Sequence, residues 1–492
     1  MTTQHTTTRE VTMERLSSRT LETVEPGAAV SLPPQGWAGQ RVGIVHLGIG
    51  AFHRAHQAVF TQDAFAATGD DRWGISGVTQ RSAAVRDQLA PQDGLYGVLE
   101  RAVDHVGVNV VGSVREVLFP GEQYERVIER LADPAVQVVT LTVTEKGYRR
   151  DGSGHLDLAD PAIAAELAGG PVTSAVGRLV RGLERRAATS GTPVTVVCCD
   201  NLTDNGRVLR RLVGDYCEAL GASDLAAWID ANVRFPCTMV DRIVPATTDA
   251  DRALGEDILG LRDEGLVTAE LFKQWVIEDD FAAERPAWHL VGAQLVADVA
   301  PFENMKLRIL NGTHSTLAYL GALRGHATIA SAVADPQLLD VAEHLIADDV
   351  IPILAQPEGE DLSAYGAEVL KRFSNPALAH KTTQIAMDGS QKLPLRLLGT
   401  IRANLAAGRT PHHALRGVAG WMAYLARPEG ADGLRLPVDD PMADRLTTLV
   451  RGRRDAAEVV DRLLDVHEIF ADDLRDAAGV RDELVGTVRE LL

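Results

Sequence analysis

Cysteine is scarce in this chain, and the few present cannot build a scaffold. The 492 residues contain four, Cys198, Cys199, Cys217 and Cys237. They form no CxxC pair and no even-spaced framework, which argues against structural zinc and disulfide staples and for a reducing compartment, the cytoplasm. Basic charge is also short: 49 Lys and Arg face 68 Asp and Glu, a net charge of -19, with no basic cluster to break the surplus. General binding to nucleic acid or to an anionic membrane surface is disfavoured on that balance. No apolar run reaches the roughly 18 residues of a membrane span, and the opening MTTQHTTTREVTMERL lacks an apolar signal core.

What is present is apolar sequence enough for large cores, 45% of the chain, over a length that calls for two or three domains. Residues 1–38 are Thr-rich and then punctuated by Pro26, Pro33 and Pro34, and read as a flexible extension. Residues 39–290 alternate short apolar runs with helical periodicity, the pattern of an α/β domain with a parallel sheet. Residues 291–492 are Ala/Leu-rich helical windows broken by Gly and Pro, and read as a mostly α-helical second domain.

Order begins with Val42, Ile44, Val45 and Leu47, an apolar run that breaks at Gly48-Ile49-Gly50 and continues with helical spacing through Phe52, Val59, Phe60 and Phe65. Strand, glycine turn, helix is the opening of a Rossmann-like dinucleotide-binding unit, in which glycines let the backbone approach a pyrophosphate at a helix N-terminus. His53 occupies the place of the fingerprint's third glycine. The next strand, Trp73 to Thr79, runs into Gln80-Arg81-Ser82 without the acidic residue that usually reads the ribose. Arg81 suits either a 2′-phosphate or a surface helix start, so the local chemistry leaves NAD and NADP both open. Val136 to Thr144 and Val194 to Cys199 read as buried parallel strands, the second ending in Asp200-Asn201-Leu202-Thr203-Asp204-Asn205. Asn201 and Asn205 are read there as turn and N-cap residues, and Asp241 as a carboxylate that needs Arg242 or a ligand.

The segment MKLRILNGTHS (305–315) concentrates the most chemistry. On one α-helix Asn311 lies about 140° from Lys306 and His314 about 80°, so the three share one broad face beside a stripe formed by Leu307, Leu310, Leu317 and Leu320. Such a face is either a cleft wall or a solvated surface.

Seven segments in this order, HLGIGAFHRAH (46–56), LTVTEKGY (141–148), CDNLTDNG (199–206), FPCTMVDRIVPATT (235–248), QWVIEDDF (274–281), MKLRILNGTHSTLAYLG (305–321) and DGSQKLPLR (388–396), closely resemble the polyol-specific long-chain dehydrogenases. That family includes mannitol 2-dehydrogenase, fructuronate reductase, arabinitol 4-dehydrogenase and mannitol-1-phosphate 5-dehydrogenase. The resemblance implies a zinc-independent oxidoreductase with a nicotinamide cofactor, NAD with NADP still open, on the first domain, and a helical C-terminal domain for the substrate. By the same resemblance Lys306 matches the general base, Asn311 and His314 the groups that polarise the reacting oxygen, and Asn201 and Asp241 substrate-side positions. Arg372 and Lys392 match residues that hold distal hydroxyls or a carboxylate, and Gly48, Gly50 and Phe52 the cofactor loop.

Rival chemistries find no residues. None of the seven tyrosines is followed by lysine four positions on, which closes the short-chain route, and the cysteines have no ligand-like spacing to histidine. A lysine base, with an ordinary pKa near about 10.4, must be desolvated or set near positive charge to work at neutral pH. The substrate reading leans to mannitol and fructose, with mannonate and fructuronate close behind and a phosphorylated polyol third. A non-catalytic sugar- or nucleotide-binding protein is the alternative of another class. The expected partners are a small polyol or sugar acid only, and monomer and homodimer stand equally open.

Overall fold

The computed structural model describes residues 13–378 and 380–492. The chain divides into two compact units between Val299 and Ala300. In the first, thirteen strands make three sheets: β1 (Val30–Ser31), β2 (Val42–Leu47), β3 (Gly74–Val78), β4 (Tyr96–Arg101), β5 (Val106–Val111), β6 (Val114–Leu118), β7 (Val138–Leu141), β8 (Val194–Cys198), β9 (Val233–Arg234), β10 (Thr238–Asp241), β11 (Val267–Ala269), β12 (Gln274–Glu278) and β13 (Gln294–Val296). The main sheet has the order β6-β3-β2-β7-β8-β9 and is parallel throughout. Its strand order reverses between β2 and β7. In an open α/β sheet that reversal opens a crevice at the carboxyl ends of the two strands, where ligands sit.

Alternate residues of each central strand go to different cores. Val45, Leu47, Val139 and Leu141 pack with Val127, Leu131, Leu179 and Leu212. Ile44, Ile75, Val138 and Val197 instead meet Val59, Phe60, Trp275 and Trp288. Burial on both faces is why these strands are nearly continuous β-branched runs, with no apolar/polar alternation. Two smaller sheets, β1-β5-β4-β11 and β10-β12-β13, carry the segments before Arg41 and around Asp241.

The extension expected to be flexible lies, for residues 1–12, outside the described residues. From Met13 onward it is tied down. Leu16 N–H donates to Arg262 O at 2.9 Å, and Leu16, Leu21 and Val30 join Leu99, Val108 and Leu266 in a third core. Three well-spaced apolar side chains outweigh the polar average of the segment. Strand β7 also ends earlier than its apolar run, at Leu141, because Val143 and Thr144 give their N–H groups to the Asp200 carboxylate.

The second unit is helical. Every residue of the helix Thr313–Leu323 is buried, as are most of those in His412–Ala426, and the two helices pack together. Gly417 permits this approach, since a Cβ there would stand 2.5 Å from Thr316 Oγ1. Among the described residues no helix is long and apolar enough to cross a membrane.

Candidate active site

The glycine turn after β2 is shaped by close approach. Gly48 has φ +101, and a Cβ there would lie 2.1 Å from the carbonyl oxygen of Thr142, the residue that follows β7. Gly50 is exposed, where a side chain would meet only Gly48 O at 3.7 Å, and caps the helix Ala51–Ala55 with no side-chain hydrogen bond. An open glycine edge over an uncapped helix start at the β2/β7 reversal fits a dinucleotide pyrophosphate. Arg81 is exposed past the end of β3, and beside it Gln80 Oε1 accepts from Arg178 Nη1 at 2.6 Å.

This loop departs from the glycine fingerprint in a way the structure explains. The third glycine normally lets the helix close on the strand. Here the His53 ring stacks on that of His46 from β2, centroids 3.4 Å apart, and fills that space. Thr142 Oγ1 spends its proton on Gly48 O at 2.9 Å, so it accepts from His46 Nε2–H at 2.9 Å, and His46 Nδ1 is left to accept from Thr140 Oγ1 at 2.7 Å. The ring is neutral: burial pulls the pKa of His46 down to about 3, and that of His56 likewise to about 3. His56, whose backbone breaks the helix, donates from Nε2 to Gln274 O at 2.9 Å and stacks on Phe52 at 5.0 Å.

The carbonyl end of that five-residue helix is held by side chains from elsewhere. Tyr96 Oη donates to Arg54 O at 2.8 Å, and Arg242 Nη1 donates to Ala55 O. Arg242, with its side chain fully buried, also binds Glu270 O and the Glu100 carboxylate at 2.6 Å. Its neighbour Asp241, the last residue of β10, is 4% exposed. One arginine thus fixes the helix after the glycine turn relative to the strand that carries Asp241.

Asn201 follows β8 and is exposed. Asn205, read from sequence as a turn or N-cap residue, does something else. It is fully buried, its Nδ2 donates to Asp200 O at 3.0 Å and to Thr238 O at 2.9 Å, and its Oδ1 accepts Thr238 N–H at 2.9 Å. The N-cap position belongs to Asp204. All four cysteines are buried and unbridged.

In the second unit, the expected α-helix is α at Ala300–Met305, π at Lys306–Gly312 and α again at Thr313–Leu323. That corrects the angular estimate. With i→i+5 hydrogen bonds and about 4.4 residues per turn, a π-helix brings Asn311 to within roughly 50° of Lys306 one turn on, where α geometry would give about 140°. His314 follows at the start of the α-helical run, 8% exposed, its ring stacked on Phe373 at 4.6 Å and on His380 at 5.6 Å. Its Nε2 is buried and has no hydrogen-bond partner among the described residues. Burial holds its pKa well below the usual value, and His380, Arg396, Lys392 and Arg372 lower it further.

Arg372 is buried at the end of the helix Leu362–Phe373. Lys392 Nζ donates to Met387 O at 2.6 Å. Arg396 lies on another π-helical segment, Pro394–Leu398, and its Nη1 donates to Ser315 Oγ at 2.9 Å, beside His314. Arg396 and His380 were missed from sequence. Arg396 stands in a motif noted there, but as one more basic residue of a helix it gives no sign of where it points.

The profile of the mannitol dehydrogenase Rossmann domain matches residues 42–290, and that of the mannitol dehydrogenase C-terminal domain residues 298–492. D-mannonate oxidoreductase of Escherichia coli (strain K12) is 45% identical over 453 residues, 90% of this chain and 91% of that protein. The Pseudomonas fluorescens mannitol 2-dehydrogenase, solved as a ternary complex with NAD and D-mannitol, superposes with a TM-score of 0.84 at 36% identity, covering 97% of this chain and 96% of that one. A substrate-free D-sorbitol dehydrogenase gives 0.87 at 32% identity, with 97% and 98% covered. With both profiles spanning most of its length, the chain belongs to the mannitol dehydrogenase family of oxidoreductases.

Proposed function

We propose that this oxidoreductase transfers a hydride between NAD and a six-carbon sugar acid of the mannonate/fructuronate type. The observation that carries this reading is the positive charge gathered around the neutral His314 ring. Arg396, Lys392 and Arg372 all act on it electrostatically, with His380 stacked alongside. A carboxylate gains charge-assisted hydrogen bonds from such a group, whereas a neutral polyol gains little from its charge. The 45% identity to a mannonate oxidoreductase, against 36% to a mannitol 2-dehydrogenase, supports the same choice.

Bound NAD supplies the hydride acceptor at its nicotinamide C4. Gly48, Gly50 and Phe52 are the residues to hold it, with Arg81 at the adenosine end. In the oxidative direction Lys306 Nζ takes the proton of the reacting hydroxyl. Asn311, one π-turn on, donates a hydrogen bond to the oxygen as its negative charge develops. His314, neutral because it is buried, offers its open Nε2 to the same oxygen, a contribution of about 3 to 4 kcal/mol for a well-placed donor. In reduction Lys306 returns the proton. Asn201, Asp241, Arg372 and Lys392 are the proposed substrate-side residues.

The test is absorbance at 340 nm with NAD and NADP separately, against mannonate, fructuronate, mannitol, arabinitol and mannitol 1-phosphate. Mannonate and fructuronate with NAD should give the highest kcat/KM. A higher value on mannitol would install the second reading, mannitol/fructose interconversion, which the whole-chain match to a mannitol 2-dehydrogenase favours.

A further inference from the structure

Thr144 stands in a conformation that belongs to glycine. Its φ is +69 and ψ 158, a region that a β-branched residue enters only when its surroundings impose it. No packing of its side chain compels this, because Thr144 is exposed. What imposes it is a neighbouring carboxylate. Asp200, 9% exposed at the end of β8, accepts Val143 N–H on Oδ2 and Thr144 N–H on Oδ1, both at 2.9 Å, and Tyr148 Oη also donates to Oδ2 at 2.6 Å. The loop then closes on itself, Gly147 N–H donating to Thr144 O at 2.9 Å.

The location gives the strain a purpose. Thr142 N–H makes a bond from the β7 side to Leu47 O of β2, and Thr142 Oγ1 holds Gly48 O. Val143 and Thr144 are therefore the first residues beyond the sheet at the point where its order reverses, beside the glycine turn, where a Cβ on Gly48 would lie 3.3 Å from Val143 Cγ1 and where ligands of such sheets sit. Imposed backbone strain gathers at ligand clamps, where a relaxed loop would not present the same edge.

We propose that Asp200 is a positioning residue for the coenzyme: by bracketing two successive N–H groups it holds Thr144 in the glycine-only conformation, so that the Val143–Thr144 edge forms one wall of the coenzyme crevice. The role rests on the coenzyme reading given above. Asp200 acts through the loop and touches no reacting atom.

The experiment compares wild type, Asp200→Asn and Asp200→Asn/Thr144→Gly. An asparagine has one acceptor oxygen and turns an N–H group toward one of the two backbone donors, so the bracket opens. NADH affinity is read by fluorescence titration without substrate. Loop order is read in the coenzyme-free protein by the rate of tryptic cleavage after Lys146, and melting temperature and the split between KM and kcat complete the set. Asp200→Asn should weaken NADH binding about tenfold, the scale of one buried polar group left unpaired, and speed cleavage at Lys146, with its effect on turnover falling on coenzyme KM before kcat. Thr144→Gly in that background should recover most of the lost affinity, because glycine adopts the conformation unaided. Unchanged NADH affinity in Asp200→Asn, or no recovery from the added glycine, overturns the role. A wild type that binds neither NADH nor NADPH overturns the coenzyme reading and this role with it, whereas unchanged cleavage at Lys146 overturns the bracket itself.

Discussion

Asn205 grips Thr238 from both ends of its side-chain amide, donating to the Thr238 carbonyl and accepting the Thr238 N–H, each at 2.9 Å. With its second bond to Asp200 O, this one side chain splints the end of β8, which leads to Asn201, to the start of β10, which ends at Asp241. Replacing it by alanine leaves the buried Thr238 N–H without its acceptor and takes a donor from the Thr238 carbonyl, while Asp200 O keeps the Leu202 N–H at 2.8 Å. Asn205→Ala should cost about 3 kcal/mol of unfolding free energy, on the basis of about 1 to 3 kcal/mol for each stranded group. Urea denaturation measures the loss, and kcat/KM should fall further than stability alone accounts for if Asn201 and Asp241 both contact the substrate. A variant with wild-type stability would show that the splint is redundant.

Lys306→Ala should lower kcat at least about 100-fold, the smaller end of what a positioned acid–base group contributes. Coenzyme affinity should survive, since the glycine turn lies in the first unit. Asn311→Ala should give a comparable loss by removing a donor to the developing oxyanion. Stopped-flow single turnovers separate this chemical effect from product release. A Lys306→Ala enzyme with near-normal turnover would remove the assigned base.

Parts of this site could be read directly from the residues. Gly48 and Gly50 after a short apolar run gave the glycine turn that follows β2, and the β-branched strands announced burial on both faces, because those signals are local. What escaped depends on partners far along the chain or on rare backbone geometry. The seven-residue π segment leaves no mark in the spacing of Leu307 and Leu310, and it is this segment that brings Asn311 round toward Lys306. Asn205 looked like a cap because nothing near it in sequence names Thr238. Val143 and Thr144 read as strand because their type is right for one, while Asp200, 56 residues on from Thr144, takes their N–H groups out of the ladder.

The buried histidines of the first unit predict a specific acid sensitivity. His46 and His56 titrate in the native state near about 3, against an unfolded value of about 6.5, so as pH falls the unfolded chain takes up the protons first. The stability they contribute is complete above about pH 6.5 and is lost progressively toward pH 3, by up to about 1.4 kcal/mol per pH unit for each ring. Urea midpoints at pH 7, 6 and 5 should therefore fall more steeply for wild type than for His46→Asn, in which one of these titrations is gone. Equal slopes would mean that His46 does not stay neutral in the fold.

Arg372, a buried guanidinium whose charge reaches His314, is where the proposed sugar-acid substrate can be tested. If the natural substrate carries a carboxylate, Arg372→Met removes a charge-assisted partner worth about 1.5 to 3 kcal/mol, or roughly tenfold to a hundredfold in KM for mannonate. The same variant should change KM for mannitol far less, because a hydroxyl asks only for a neutral hydrogen bond. The diagnostic quantity is the ratio of the two effects measured on one preparation, which cancels any general damage to the fold. A collapse of both substrates together would assign Arg372 to packing around His314. A selective loss on mannonate would identify it as the residue through which this enzyme distinguishes an acid from a polyol.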